Sequence, residues 1–444
     1  MPAGLEDAIV TAREALRASD RANAWQALRG VLGYPGDAVQ ERGAFQRGFG
    51  AFAQLAGAVG GPELAQRIYA IVARPDDPQA LYDAAWMLYE QQAFGLAATL
   101  LARANARAPG QQGIVTELSA CLEALGLYPQ AALTVDLSGL PEKDPLCAYL
   151  SGFNWLMSGD LDQPRVRLAA IAGVSQGPAP ELRAGLAGML ARADALLAAG
   201  VTLDERALTA WHAVIHGAAL LHESPHGHDE PMHGRYAYLG DQPGLMREGL
   251  DRLAAVLACR TPLPQVVPAP DRASHILALA AAERLGLPLG AWQKGTPPRG
   301  LVVAWTLEAV ANGDFHVDLE RHAPEQVLFV HASCWTAPFP YAPDVTTLLY
   351  QHITHPSTGG ALRVDPETGD TSPQEADPRA DAILAAEILA AEPGDPSARP
   401  LQDVLAVVRA LADLPEEHRG SLHRGQGHRR HQRAGGPVAS ARFT

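Results

Sequence analysis

Along the first two hundred residues the apolar positions recur at three- and four-residue intervals, the spacing that lays one stripe along an α-helix. "EDAIVTAREALRAS" and "QRGFGAFAQLAGAVGGPELAQRIYAIVA" both show it, with glycines where one helix gives way to the next. Residues 78–109, "PQALYDAAWMLYEQQAFGLAATLLARANARAP", read as two helices broken near Gln92. "GIVTELSACLEALGLYPQAALTVDLSG" repeats the pair, with Ala131 following Ala97 at a 34-residue interval. A third, weaker pair is "PLCAYLSGFNWLMSGDLDQPRVRLAAI", turning at Gly159, and "PELRAGLAGMLARADALLAAG" adds one more helix, closed by Gly200.

The period then changes. After "ERALTAWHAVIHGAALL", which reads as a helix ending near His222, come three short runs bounded by turn residues: "PQVVPAP", "RGLVVAW" and "EQVLFVHA". The amphipathic "DRASHILALAAAERLGL" lies between the first two, so the order is strand, helix, strand, and the valine-rich runs predict a mainly parallel sheet buried on both faces. "PDVTTLLYQHI", "EADPRADAILAAEILAAEP" and "PLQDVLAVVRALADL" read as helices, the first with Asp344 as its N-cap. "HPSTGGALRVDPETGDTSPQ" reads as a hairpin or a loop. Residues 416–444 are rich in Gly, Arg and His with almost no apolar content, which predicts a disordered basic tail. The same abrupt shift is also what an out-of-frame reading of a GC-rich gene produces.

The paired helices resemble the tetratricopeptide repeat (TPR) family over about residues 75–175. Ala85, Ala97, Ala104 and Pro109 stand where that family has its small residues and closing proline. Ser119, Ala131, Ser138 and Pro145 do so in the second unit, and Gly152 and Gly159 mark the third. Leu81 and Leu88 replace the family's usual Trp and Tyr, so the likeness rests on small residues and spacing. The resemblance implies an N-terminal α-solenoid of TPR-like helical hairpins; with the strand–helix–strand order that follows, the expected chain is mainly α, the solenoid preceding a smaller α/β domain with a short, mostly parallel sheet. The expected division is 1–72 as degenerate or capping repeats, 73–200 as solenoid, 201–415 as the α/β domain and 416–444 as the tail. Carried over from the family, groove positions on the first helix of each unit fall on Tyr82, Trp86, Tyr89, Tyr149 and Phe153, which would anchor a protein partner. The competing reading packs these aromatics against the preceding helix pair.

Charge and cysteine content narrow the setting. Lys+Arg number 35 against 49 Asp+Glu, a net charge of −14, and the basic residues concentrated after His418 leave the rest more acidic still, which argues against phosphate-backbone binding. Only Lys143 and Lys294 are lysines, an arginine bias that suggests a GC-rich bacterial genome. Glu6 and Asp7 stand where a secretory signal has basic residues, no apolar run has membrane-spanning length, and the 4 cysteines lack paired spacing. A cytoplasmic protein with reduced thiols is expected.

"LLHESPHGHDEPMHGRYAY" contains a formal H-E-x-x-H, His222 to His226 around Glu223, but Pro225 breaks the helix that would set both imidazoles on one zinc. A looser ligand set of His222, His226, His228, Asp229 and His233 is chemically conceivable, although polar-loop histidines are more commonly solvated; no metal and no cofactor is assigned. The expected strand ends carry a second constellation: Asp271, Arg272 and Ser274, then Trp305, Thr306 and Glu308, then His331, Ser333, Cys334 and Trp335. Open α/β sheets bind ligands at their carboxyl edge, so Asp271, Arg272, Ser274, His331 and Cys334 form the candidate ligand set, with His331 and Cys334 as a conceivable base–nucleophile pair. The plainer reading makes Asp271 a cap and Cys334 a small core residue. No phosphate-cradling glycine motif occurs, and "APDVTTLLY" lacks the second acid and the glycine of a phosphoribosyltransferase loop. The leading expectation is a protein-interaction adaptor or regulatory protein with no assigned catalytic residues. The alternative is an α/β domain that binds or transforms a small anion, with the solenoid as its targeting arm.

Overall fold

In the computed structural model of the chain, residues 4–226, 232–359, 362–364 and 371–440 are described. The chain divides into two compact units, Met1–Leu186 and Ala187–Thr444.

The first unit is a run of helical hairpins: α1 (Leu5–Arg17) with α2 (Arg21–Leu32), α3 (Arg42–Ala58) with α4 (Pro62–Ala73), α5 (Pro78–Glu90) with α6 (Phe94–Arg107), α7 (Gln112–Ala124) with α8 (Tyr128–Leu137), and α9 (Pro145–Met157) with α10 (Asp162–Ala170). Each hairpin turn carries a residue of positive φ: Ser19, Gly60, Gln92, Gly126 and Gly159. The helix starts are equally repetitive. Asp77 accepts from the amides of Gln79 and Ala80, Asp144 from that of Cys147, and a proline occupies the first helical position after each cap. Ala85, Ala97, Ala104, Ser119 and Ala131 are buried at the helix crossings, where a larger side chain would hold the backbones apart. The TPR-like solenoid expected from the spacing is therefore present. Between α8 and the last hairpin a polar tie supplements packing: the Asp136 carboxylate accepts from Trp155 Nε1 at 2.8 Å, Ser151 Oγ at 2.6 Å and Arg167 Nη2 at 2.8 Å.

The division between units falls inside α11 (Ala179–Ala198). The second unit continues with α12 (Leu208–His216), β1 (Ala219–Leu220), β2 (Tyr236–Gly240), α13 (Pro243–Leu257), β3 (Val266–Pro268), α14 (Arg272–Leu285), β4 (Gly300–Ala304), α15 (Gly313–Leu319), β5 (Arg321–His322), β6 (Gln326–Cys334) and β7 (Val345–Thr354). Then follow β8 (Leu362–Val364), β9 (Thr371–Pro373), α16 (Asp381–Ala390), α17 (Leu401–Ala410) and β10 (Gly427–His428). The main sheet runs β1/β2–β7–β6–β4–β3, with every pairing parallel. β1 and β2 share the same side of β7, β1 against Val345 and Thr346 and β2 against Tyr350 to Thr354. At the far side the Val266 amide donates to the Pro288 carbonyl, and the Val266 carbonyl accepts from Gly290.

Alternation along the central strands builds two cores. Leu301, Val303, Val327 and Phe329 face α13, α14, α16 and α17, while Val302, Ala304, Leu328 and Val330 meet Phe315 and Leu319 of α15. α13 approaches β7 where Gly249 lies over Thr347; a Cβ at Gly249 would stand 2.5 Å from Thr347 Oγ1 and 2.9 Å from Cγ2. We expect Gly249→Ala to lower stability by roughly 1–3 kcal/mol through overpacking, measured by urea unfolding, with Thr347→Ala in the same chain restoring part of the loss.

Three expectations are corrected here. The helix before the histidine-rich loop ends at His216, not near His222, because Gly217 turns the chain at φ 67° and residues 219–220 join the sheet. "PDVTTLLYQHI" is the long strand β7, its β-branched opening Val345-Thr346-Thr347 buried on both sides, and Asp344 is no helix cap. Residues 416–440 are packed, not disordered. β10 pairs with β5, and Arg429 reaches between β6 and β7, donating at 2.6 Å to Asp344 Oδ1 and at 2.6 Å to Gln326 Oε1. Average hydropathy misses such a segment because single arginines find buried acceptors. The guanidinium and the carboxylate are both 0% exposed, so the two charges form a matched buried pair.

Candidate functional site

The carboxyl ends of β2, β4, β6 and β7 bring together Asp241, Trp305, His331 and His355. Asp241 is fully enclosed. Its Oδ2 accepts from Trp305 Nε1 at 2.7 Å, its Oδ1 from the Gln242 amide at 2.8 Å, and His331 Nε2 lies 3.3 Å away. Burial pushes this carboxyl up, but the His331 imidazole and the Trp305 and Gln242 donors together outweigh it and hold the group below the usual aspartate range. His355 packs edge-on against Trp305 at 4.8 Å, and its Nδ1 accepts from the Ser357 amide at 3.0 Å. Burial lowers its imidazole to about 4, against the pull of Asp241. His331 Nδ1, His355 Nε2 and Asp271 Oδ2 are buried polar atoms without a hydrogen-bond partner.

The expected ligand residues are mostly committed to the protein itself. Asp271 caps α14, accepting from the Ser274 amide at 2.9 Å, and Ser274 Oγ accepts from the Trp305 amide at 2.9 Å. Arg272 donates at 2.8 Å to Asp381, at 2.7 Å to the Asp377 carbonyl and at 2.8 Å to the Arg379 carbonyl, so it pins the segment entering α16. His331 and Cys334 are three residues apart on one strand and therefore face opposite sides of the sheet. Cys334 packs with Ala332, Leu348 and Tyr350 and takes a weak bond from the Ala337 amide at 3.4 Å. A base–nucleophile pair does not form between them. What the arrangement does chemically is hold an acid–imidazole couple inside the fold, tied to four strand ends. Sequence reading missed Asp241 and His355 because both lie just beyond strands it did not recognise.

The H-E-x-x-H residues diverge. His222 is buried, with Nδ1 3.2 Å from Glu248 and Nε2 2.8 Å from the Tyr236 hydroxyl. Glu223 accepts from the Thr209 amide at 2.9 Å and hydroxyl at 2.7 Å, and His226 meets Asp395 at 2.8 Å. His228 and Asp229 lie outside the described residues.

In the solenoid the five groove residues separate into two groups. Trp86 is 52% exposed, with Tyr82 and Tyr89 half-buried beside it on α5, Tyr89 edge-on to Phe94 at 5.2 Å. Tyr149 and Phe153 stack at 5.8 Å but are only 8% and 4% exposed, so they are not open to a partner as the repeat resemblance implied. The surroundings of the first group are acidic. Burial and then Glu117 and Asp83 raise the Tyr82 phenol; burial, then Cys121, Glu117, Glu123 and Glu90, raise that of Tyr89. Glu117 is itself raised, by burial and by Glu90. Glu90 and Glu117 make no ion pair among the described residues.

No family model matches the chain, and no curated protein does. Among solved structures, a chain from the functional characterization of Pseudomonas aeruginosa PilF is similar, at 19% identity over 43% of this chain and 84% of that one, with a TM-score of 0.25. Among the described residues no helix is long and apolar enough to cross a membrane.

Proposed function

We propose that the solenoid is a protein-interaction surface that takes a basic segment of a partner along α5 and α7, with Trp86 as its central anchor. The exposure of Trp86 carries this reading: a large indole left half in solvent, between two partly sheltered tyrosines, is the composition of an interface hot spot. The unneutralised carboxylates of Glu90 and Glu117 decide the partner's sign. An arginine or lysine laid over the indole would gain a cation–π contact of about 0.5–2 kcal/mol and meet those acids together. The competing reading, a small anion at the sheet's carboxyl edge, is weakened by Arg272, which is tied through all three of its nitrogens to the segment entering α16.

The test is a fluorescence-anisotropy titration with labelled arginine-rich, neutral and glutamate-rich peptides. The arginine-rich peptide should bind preferentially, more weakly in high salt, and Trp86→Ala should reduce its affinity about tenfold or more while shifting the melting temperature by no more than about 2 °C. Equal binding of the acidic peptide would sink the charge argument. A large fall in melting temperature would instead return Trp86 to the core.

A further inference from the structure

We propose that a recess in the second unit, bounded by Arg260, Thr261, Glu325, Leu422, His423 and Arg424, binds a small phosphate-class polyanion such as a diphosphate. The recess has a volume of about 550 Å³ and lies between the end of α13, the start of β6 and the turn at Ser421–His423. Its walls are cationic and their donors are incompletely used. Arg260 is steadied by bonds from Nε to the Thr261 carbonyl at 3.2 Å and from Nη1 to the Leu422 carbonyl at 3.2 Å, which leaves its other N–H groups unassigned. Arg424 donates through Nη1 to the His428 carbonyl at 3.1 Å, while its Nε is buried without an acceptor. His423 Nε2 is likewise buried and unpartnered.

The acids nearby do not neutralise this set. Glu325, which lines the recess, is bound by Arg299, and Glu416 is held by Arg419 at 3.0 Å and by the Gly425 amide at 2.8 Å. Burial holds the Arg260 and Arg424 guanidinium groups below their usual range despite Asp344, Glu325 and Glu416, and burial followed by Arg260 and Arg419 depresses His423 against Asp413 and the Val408 carbonyl. A bound dianion would relieve all three at once. Two guanidinium forks and an imidazole present more donors than one carboxylate accepts, whereas phosphate oxygens use them together.

The test is isothermal titration of the full chain with sodium pyrophosphate at constant ionic strength. Saturable one-to-one binding is expected, with citrate weaker. Arg424→Gln and Arg260→Gln should each weaken it about tenfold or more, and Glu325→Gln should leave it equal or tighter. Should Arg424→Gln fail to fold, Arg260→Gln, whose assigned partners are backbone carbonyls, decides the matter alone. No saturable heat, binding indifferent to Arg260→Gln, or citrate binding as tightly as pyrophosphate would overturn the proposal.

Discussion

Acidification from pH 7 to pH 5 should unfold the second unit and leave the first helical. All 16 histidines of the chain lie after residue 200, so the solenoid has none to titrate. In the second unit burial lowers His216 and His322 to about 3 and His355 to about 4, and holds His212 well below the ordinary value. Each has a buried ring nitrogen without a partner, and His216 Nε2 accepts from the Arg433 amide at 3.1 Å, a bond only the neutral ring makes. The folded values lie below the unfolded value of about 6.5, so the unfolded chain binds more protons and stability falls as pH drops through the interval from about 6.5 towards 4. Each such histidine contributes a slope of about 1.4 kcal/mol per pH unit. Four together reach about 5.6 kcal/mol per unit, comparable with the whole stability of a domain. Peptide-resolved hydrogen exchange after acid equilibration measures it. Retention of protection in β4, β6 and β7 at pH 4.5 would show that these imidazoles are not held neutral.

Replacing Arg429 by Met should cost about 3–5 kcal/mol at neutral pH, because it strands a buried carboxylate and does not merely delete a contact. Asp344 is held by Arg429, by the Leu328 amide at 2.7 Å and by His322 at 3.4 Å. Burial raises its carboxyl, but Arg429, His322 and the amide together prevail and keep it below the usual range. Stability from a depressed aspartate is present above the unfolded value near 3.9 and is lost as pH falls through the folded value. The gap between wild type and Arg429→Met, read by urea unfolding, is therefore full at pH 7 and narrows as pH falls towards the range where the second unit unfolds, because the stranded carboxyl of the variant takes up a proton more readily than the paired one. Adding Asp344→Asn to the variant should recover part of the loss; strict additivity of the two substitutions would refute the pairing.

The helical hairpins were legible because their signals are local: a cap such as Asp77, a breaking residue such as Gln92, and alanines at a fixed interval. "RGLVVAW" and "EQVLFVHA" were legible as strands for the same reason, being short, branched and bounded by turns. "PDVTTLLYQHI" was misread because a strand buried on both faces loses the two-residue alternation, and its leading acid imitates a helix cap. The site was less legible. Asp241 and His331 are 90 residues apart, and Asp344 and Arg429 are 85 apart, so nothing in either neighbourhood announces the other. Of the groove residues only Trp86 stands well clear of packing, a distinction that spacing along a helix does not make.

The divided margin of the sheet bears on how this chain behaves in company. β1 contributes two residues and β2 five to one side of β7, with the stretch from 221 to 235 between them, and the three residues of β3 on the other side are partly covered by Pro288 and Gly290. A long uninterrupted row of open amides and carbonyls is the template on which a second chain adds a strand and fibrils begin. Here the longest outer strand among the described residues offers five residues, so β7, with ten the longest strand, is screened on both flanks from self-association.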